Sequence, residues 1–168
     1  MSHPSDPYSN RSCIRPLPAL LNAACAFFSL NGKHFIYLFG GYSDKPISSQ
    51  LIAVDLDEEA WWFVQVSGDP VTGRMASSMV AIDKSLYIFG GRETSDSSSP
   101  VLASFCVAEY SANHRQWSWV VRDQPYPPHL PPLGYGGHAT PVYGGKKILL
   151  TMGRDEFEGV SLLLRLKY

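Results

Sequence analysis

The chain has 168 residues, enough for one domain with a sizeable core. Charged residues make up 17% and the net charge is −1, which excludes the basic stripe of a nucleic-acid binder and the like-charge runs of a membrane-surface segment. With 14 glycines, 13 prolines and 12% aromatic residues, the composition is that of short strands joined by many turns.

Residues 1–18 open with Met-Ser-His-Pro-Ser-Asp-Pro. Proline and polar residues stand where a secretory signal has a basic start and an apolar run. An extended or disordered N-terminal segment and an intracellular, cytoplasmic location are therefore expected. Residues 19–30 are rich in Ala and Leu, which favour helix. No Ser, Thr or Asp caps the stretch, and it stands just ahead of the run Phe35-Ile-Tyr-Leu-Phe-Gly-Gly41, so a strand is expected there. Broken by Asn22 and Ser29, it is too short to cross a bilayer.

The glycine-terminated run returns as Leu86-Tyr-Ile-Phe-Gly-Gly91 and again as Ile148-Leu-Leu-Thr-Met-Gly153. Gly41 to Gly91 is a step of 50 residues and Gly91 to Gly153 one of 62. Other elements recur in step. Apolar runs at 23–30, 75–82 and 137–143 precede the glycine strands, and strand-like runs at 51–56, 101–110 and 160–168 follow them. In two copies a further strand opens with tryptophan, at Trp61 and Trp117. The unit is thus four meandering strands, a to d, which is one propeller blade. The blades cover 19–67, 73–122 and 135–168, and the last lacks strand d. The longer second step is accounted for by residues 123–133. Pro125, Pro127, Pro128, Pro131 and Pro132 cannot donate to a ladder, so this stretch is expected as a loop.

These units resemble the kelch repeat family, within the galactose oxidase/kelch superfamily. Repeat two has a Gly73-Arg74 lead-in, Gly90-Gly91, Tyr110-Ser111 and Trp117; repeat one has Gly40-Gly41, Asp55 and Trp61. Repeat three has Gly136-Gly137-His138 and Gly153-Arg154, with Met152 in place of its first glycine and no tryptophan. The resemblance covers residues 20–168. It implies an all-β fold, a partial kelch-type β-propeller of about three four-stranded antiparallel blades. Propellers close with about four to eight blades, so a fragment of a larger propeller or an oligomerising piece is expected. Residues 160–166 are left as an open edge suited to self-association. Gly40, Gly41, Gly90, Gly91 and Gly153 are expected to serve the turns and the close approach of blades. Trp61 and Trp117 are expected to fill the wedge between blades, and His138 to be structural.

In a meandering blade the b–c and d–a loops emerge on one face, while the short a–b turns lie on the other. Ligands bind where long loops stand on a rigid scaffold. Arg74, Arg92, Tyr135 and Arg154 are the candidate partner-binding residues of that face. The resemblance implies a non-catalytic protein-interaction module whose arginines take an acidic peptide by bidentate pairing. The competing reading pairs Arg74 and Arg92 with Asp69 and Glu93. A galactose-oxidase-like copper enzyme is the alternative function, needing two His and two Tyr ligands and a Cys linked to one Tyr. Cys106, His138 and several tyrosines exist, but none falls in a matching motif. No catalytic constellation, metal site or cofactor is expected. Cys13, Cys25 and Cys106 form no CxxC pair and are expected as free thiols.

Overall fold

The structure is a computed structural model that describes residues 16–42, 47–96, 101–126 and 136–151, and the backbone of 161–165. Blade I is an antiparallel meander of β1 (Ala24–Leu30), β2 (Lys33–Phe39), β3 (Leu51–Asp55) and β4 (Ala60–Val64). Alternation dictates the first pair. In β1, Ala24, Ala26 and Phe28 are buried while Cys25 and Phe27 are exposed, so the Ala-rich stretch is a strand with two unlike faces. Asn31 and Gly32 take φ of 52° and 75°, the mirror-image turn that matches the twist of a hairpin.

The chain then hands two residues to the next sheet. β5 (Val66–Ser67) pairs in parallel with Trp117 and Ser118 on the outside of blade II. The first blade, expected over residues 19–67, therefore ends at Val64. Blade II itself is β6 (Ser78–Ile82), β7 (Ser85–Phe89), β8 (Ser104–Ser111) and β9 (Gln116–Pro125). β9 runs further than expected and carries Asp123 to Pro125 into the sheet, with Ser104 opposite Pro125. Proline is tolerated there because this part of β9 is an outer strand that owes no N–H to a neighbour. The remaining prolines, at 127–132, lie outside the described residues. Blade III is β10 (His138–Val142), β11 (Lys147–Thr151) and β12 (Ser161–Arg165), and no fourth strand occurs among the described residues.

Each blade has an upstream face and a downstream face. The downstream face of blade I and the upstream face of blade II enclose one core, which includes Phe28, Tyr37, Phe39 and Trp62 from the first and Leu86, Ile88, Cys106 and Trp117 from the second. The downstream face of blade II and the upstream face of blade III enclose another, with Val80, Ile82, Phe89 and Tyr126 against Ala139, Ile148 and Leu150. The three lead-ins are stitched together. Ala76 N–H donates to the Asn22 carbonyl and Gly136 N–H to the Ala76 carbonyl, each at 2.8 Å, and all three residues have left-handed φ, of 57°, 51° and 72°. Gly40 shows why a glycine ends strand b. Its φ is +71°, and a Cβ there would lie 2.0 Å from the Arg74 carbonyl oxygen of the next lead-in.

Candidate functional site

The b–c loops and lead-ins meet where the Gly-Gly pairs end. The residue after each pair is tied back to its own lead-in by two backbone bonds. Tyr42 pairs with Leu21 at 2.7 and 2.8 Å, and Arg92 pairs with Met75 at 2.9 and 3.0 Å. Arg92 also bridges Val101 across its loop, and its guanidinium donates to the Asp96 carbonyl at 3.5 Å. Arg92 is half-buried, and Tyr42 holds the equivalent position in blade I with the same partial exposure. Tyr135, Gly153 and Arg154 lie outside the described residues.

Arg74 is not on this face. Its side chain is wholly buried. Its guanidinium donates to the carbonyls of Gly90 at 3.0 Å, Ser104 at 3.3 Å and Thr72 at 3.3 Å, and to Asp123 at 2.5 Å. The planar fork of five donors is spent on backbone carbonyls at the ends of strands and on the Asp123 carboxylate. Arg74 is thus a strut inside blade II, which corrects its assignment as a partner-binding residue.

Its partner is set up by an irregularity. The β8–β9 ladder slips register after Phe105, and Asp123, inside the slip, takes φ of 41°. The Asp123 carboxylate accepts from Thr72 N–H at 2.9 Å and from the Thr72 hydroxyl at 2.8 Å, and lies 3.5 Å from Cys106 Sγ. Burial works against the charge on Asp123. The two Thr72 hydrogen bonds, and then the Arg74 guanidinium, outweigh it and hold the carboxyl below its ordinary range. Burial pushes the Cys106 thiol up to about 11 despite the pull of Arg74. It pushes the Tyr126 phenol up as well. Asp123 was hidden from sequence reasoning because it borders the proline-rich stretch. Nor does Asp69 serve Arg74: it pairs with Arg122 on the surface.

The tryptophans divide differently from expectation. Trp117 does fill the wedge, 5.4 Å from the Phe28 ring and 5.0 Å from Tyr37, and its Nε1–H donates to the Tyr37 hydroxyl at 3.3 Å. In blade I it is Trp62, 5% exposed, that enters the core against Phe35. Trp61 points to the other face and sits edge-on to Phe63 at 5.5 Å. Adjacent strand residues face opposite ways, so a Trp-Trp pair always sends one ring to each side. His138 begins β10 with an exposed side chain, not in a core. Cys106 is buried on the upstream face of blade II, so the structure does not bring it together with His138. Among the described residues no three His, Cys, Asp or Glu side chains group as a metal site, and no helix is long and apolar enough to cross a membrane.

Known proteins match this architecture. The family model of the KLHDC2/KLHL20/DRC7 Kelch-repeats domain matches residues 8–166. The Rho GTPase-activating protein gacHH of Dictyostelium discoideum is 36% identical over 70 residues, 42% of this chain and 4% of that protein. The leucine-zipper-like transcriptional regulator 1 homolog of Drosophila melanogaster is 36% identical over 59 residues, 34% of this chain and 6% of that protein. The human Kelch domain-containing protein 1 is 38% identical over 80 residues, 45% of this chain and 19% of that protein. The matched stretches thus span at most 19% of these relatives. Strand-b glycines repeated in register, four-stranded meanders stacked face to face and a family match over nearly its whole length make this chain a member of the kelch-repeat family.

Proposed function

We propose that the chain is a non-catalytic protein-interaction module that engages an acidic segment of a partner with the loop face around Arg92. The observation that supports this most is the position of Arg92. Backbone bonds on two sides fix its Cα beside the lead-ins, yet part of its side chain remains open to solvent. A cation presented from a fixed backbone loses little freedom on binding a carboxylate, which is where affinity is usually lost. Arg74, turned inward, braces the two loops from below.

The test is fluorescence anisotropy with a labelled acidic peptide, for example a Glu-rich decamer. Arg92→Ala is expected to weaken binding by about tenfold, the loss of roughly 1.4 kcal/mol, and added salt to weaken the wild type. Binding that Arg92→Ala leaves unchanged removes the proposal.

A further inference from the structure

The described turns that join strand a to b and strand c to d emerge on the side opposite Arg92, and their charge is sorted by blade. In blade I, exposed Lys33 stands against exposed Asp57, Glu58 and Glu59, one ammonium against three carboxylates, a net of −2 before the buried Asp55 is counted. In blade II, Lys84 and Arg115 balance Asp83 and Glu109. In blade III, Lys146 and Lys147 have no acid between Val142 and Ile148. Charge on this side thus climbs from one end of the blade stack to the other, although the whole chain carries only −1.

Each charged end also holds one apolar side chain in the open. Leu56 is 44% exposed beside the acids, and Tyr143 is 70% exposed beside the lysines. Both ends are held in place before any contact. The Asp55 carboxylate accepts from the N–H groups of Asp57 and Glu58, each at 3.0 Å, and Leu56 N–H donates to the His34 carbonyl at 2.9 Å. Lys33 and His34 pair with Glu58 and Asp57 within the same turn, which still leaves the acids in excess. Tyr143, Gly144 and Gly145 take left-handed φ of 54°, 64° and 83°. A Cβ on Gly145 would lie 3.3 Å from Ile82, so this turn rests on blade II. Lys147 lays its ammonium over the Tyr143 ring at 4.7 Å. Groups fixed in advance lose little freedom on binding.

An isologous interface needs a surface that is its own complement, where residue i of one copy meets j of the other and j meets i. This side meets that condition. A two-fold axis lying in the contact plane, across blade II, sets the blade III turn of each copy on the blade I turn of the other. Each basic end then meets an acidic end, and Tyr143 of one copy covers Leu56 of the second.

We propose that this side of the blade stack is a dimerisation surface, and that its partner is a second copy of the same chain in antiparallel order. The Arg92 faces of the two copies then point outward on opposite sides, so the pairing does not rest on the acidic-segment reading.

Sedimentation velocity in low salt, with the chain raised to about 100 µM, is expected to show a monomer–dimer equilibrium. Sodium chloride at about 0.5 M should weaken it about tenfold or more, because exposed charges are screened. Tyr143→Ser should weaken it by a similar factor with no change in net charge. Two charge-reversed variants test the pairing itself. Lys146→Glu with Lys147→Glu makes both ends acidic, and Glu58→Lys with Glu59→Lys makes both ends basic. Each alone is expected to stay monomeric, and an equimolar mixture to recover a one-to-one dimer. A wild-type chain that stays monomeric overturns the proposal. So does a dimer indifferent to salt and to Tyr143, or a mixture that does not associate although both variants unfold cooperatively. Should either variant not fold, the salt and Tyr143→Ser measurements decide. Acidic-peptide binding is scored separately, through Arg92→Ala, so either reading can fail without the other.

Discussion

Between the first and second blades the aromatic rings meet edge to face; between the second and third they stack. Phe28, Tyr37, Phe35, Trp62 and Trp117 cross at 46° to 87° in their close pairs. Tyr87, Phe89, Phe105 and Tyr126 lie within 9° to 26° of parallel down one face of blade II. Through Trp117 of blade II, which meets Phe28 and Tyr37 of blade I, the crossing rings lock two sheets together, whereas the rings that stack belong to one sheet and leave the join to Ala139, Ile148 and Leu150. The first core also backs onto the Arg74–Asp123 strut, through Cys106. The first interface is therefore a shared core, and the second is a surface against which a lighter blade rests.

Breaking the strut is expected to have the largest effect. Arg74→Met removes the cation beside Asp123 and the guanidinium donor of three carbonyls, and should cost about 3–5 kcal/mol in denaturant unfolding. Arg74→Lys should recover only a part, because a point charge cannot serve all four acceptors. Trp117→Ala comes next, at about 3 kcal/mol, and should loosen blades I and II together. Leu150→Ala should cost about 2–3 kcal/mol, yet hydrogen exchange is expected to speed up in β10 and β11 while β1 to β4 stay protected. Equal acceleration in all blades would erase the distinction between the cores.

Two smaller effects sharpen the same contrast. The Asp123 carboxyl is held below its ordinary range in the folded chain, so the stability it adds is present above about pH 4 and is lost as pH falls through the lower, folded value. Asp123→Asn should be less stable near neutral pH and should show a flatter acid limb in thermal unfolding against pH. Cys106, raised to about 11 by burial, should resist alkylation at pH 8 until the chain unfolds, while the exposed Cys25 reacts. Peptide mapping by mass spectrometry reads both thiols.

Much of this fold was legible in the sequence. Glycine pairs ending apolar runs located strand b, and the short a–b turn expected ahead of it is formed by Asn31 and Gly32, because both depend on local backbone chemistry. What was not legible depends on parity and on distant contacts. Trp61 and Trp62 are chemically alike, and only the pairing of Val54 and Ala53 opposite them decides which ring enters the core. An arginine after glycine reads as a loop cation until the slip in β9 brings Asp123 to it, 49 residues away. The apolar rows on the other face of blade I were not legible for a similar reason: each is assembled from four strands, one residue from each.

The two-residue β5 has a consequence for how the chain is made. Blade I can close once Val64 has left the ribosome, since all four of its strands are then present. β5 follows directly, but Ser67 must wait for Trp117, 50 residues later, before its hydroxyl finds the carbonyl it bonds in the finished protein. During that interval, several seconds at ordinary elongation rates of roughly 5–20 residues per second, the clasp between the first two blades hangs open. The finished first blade is then held to the ribosome only by a tether that later becomes the outermost strand of the second.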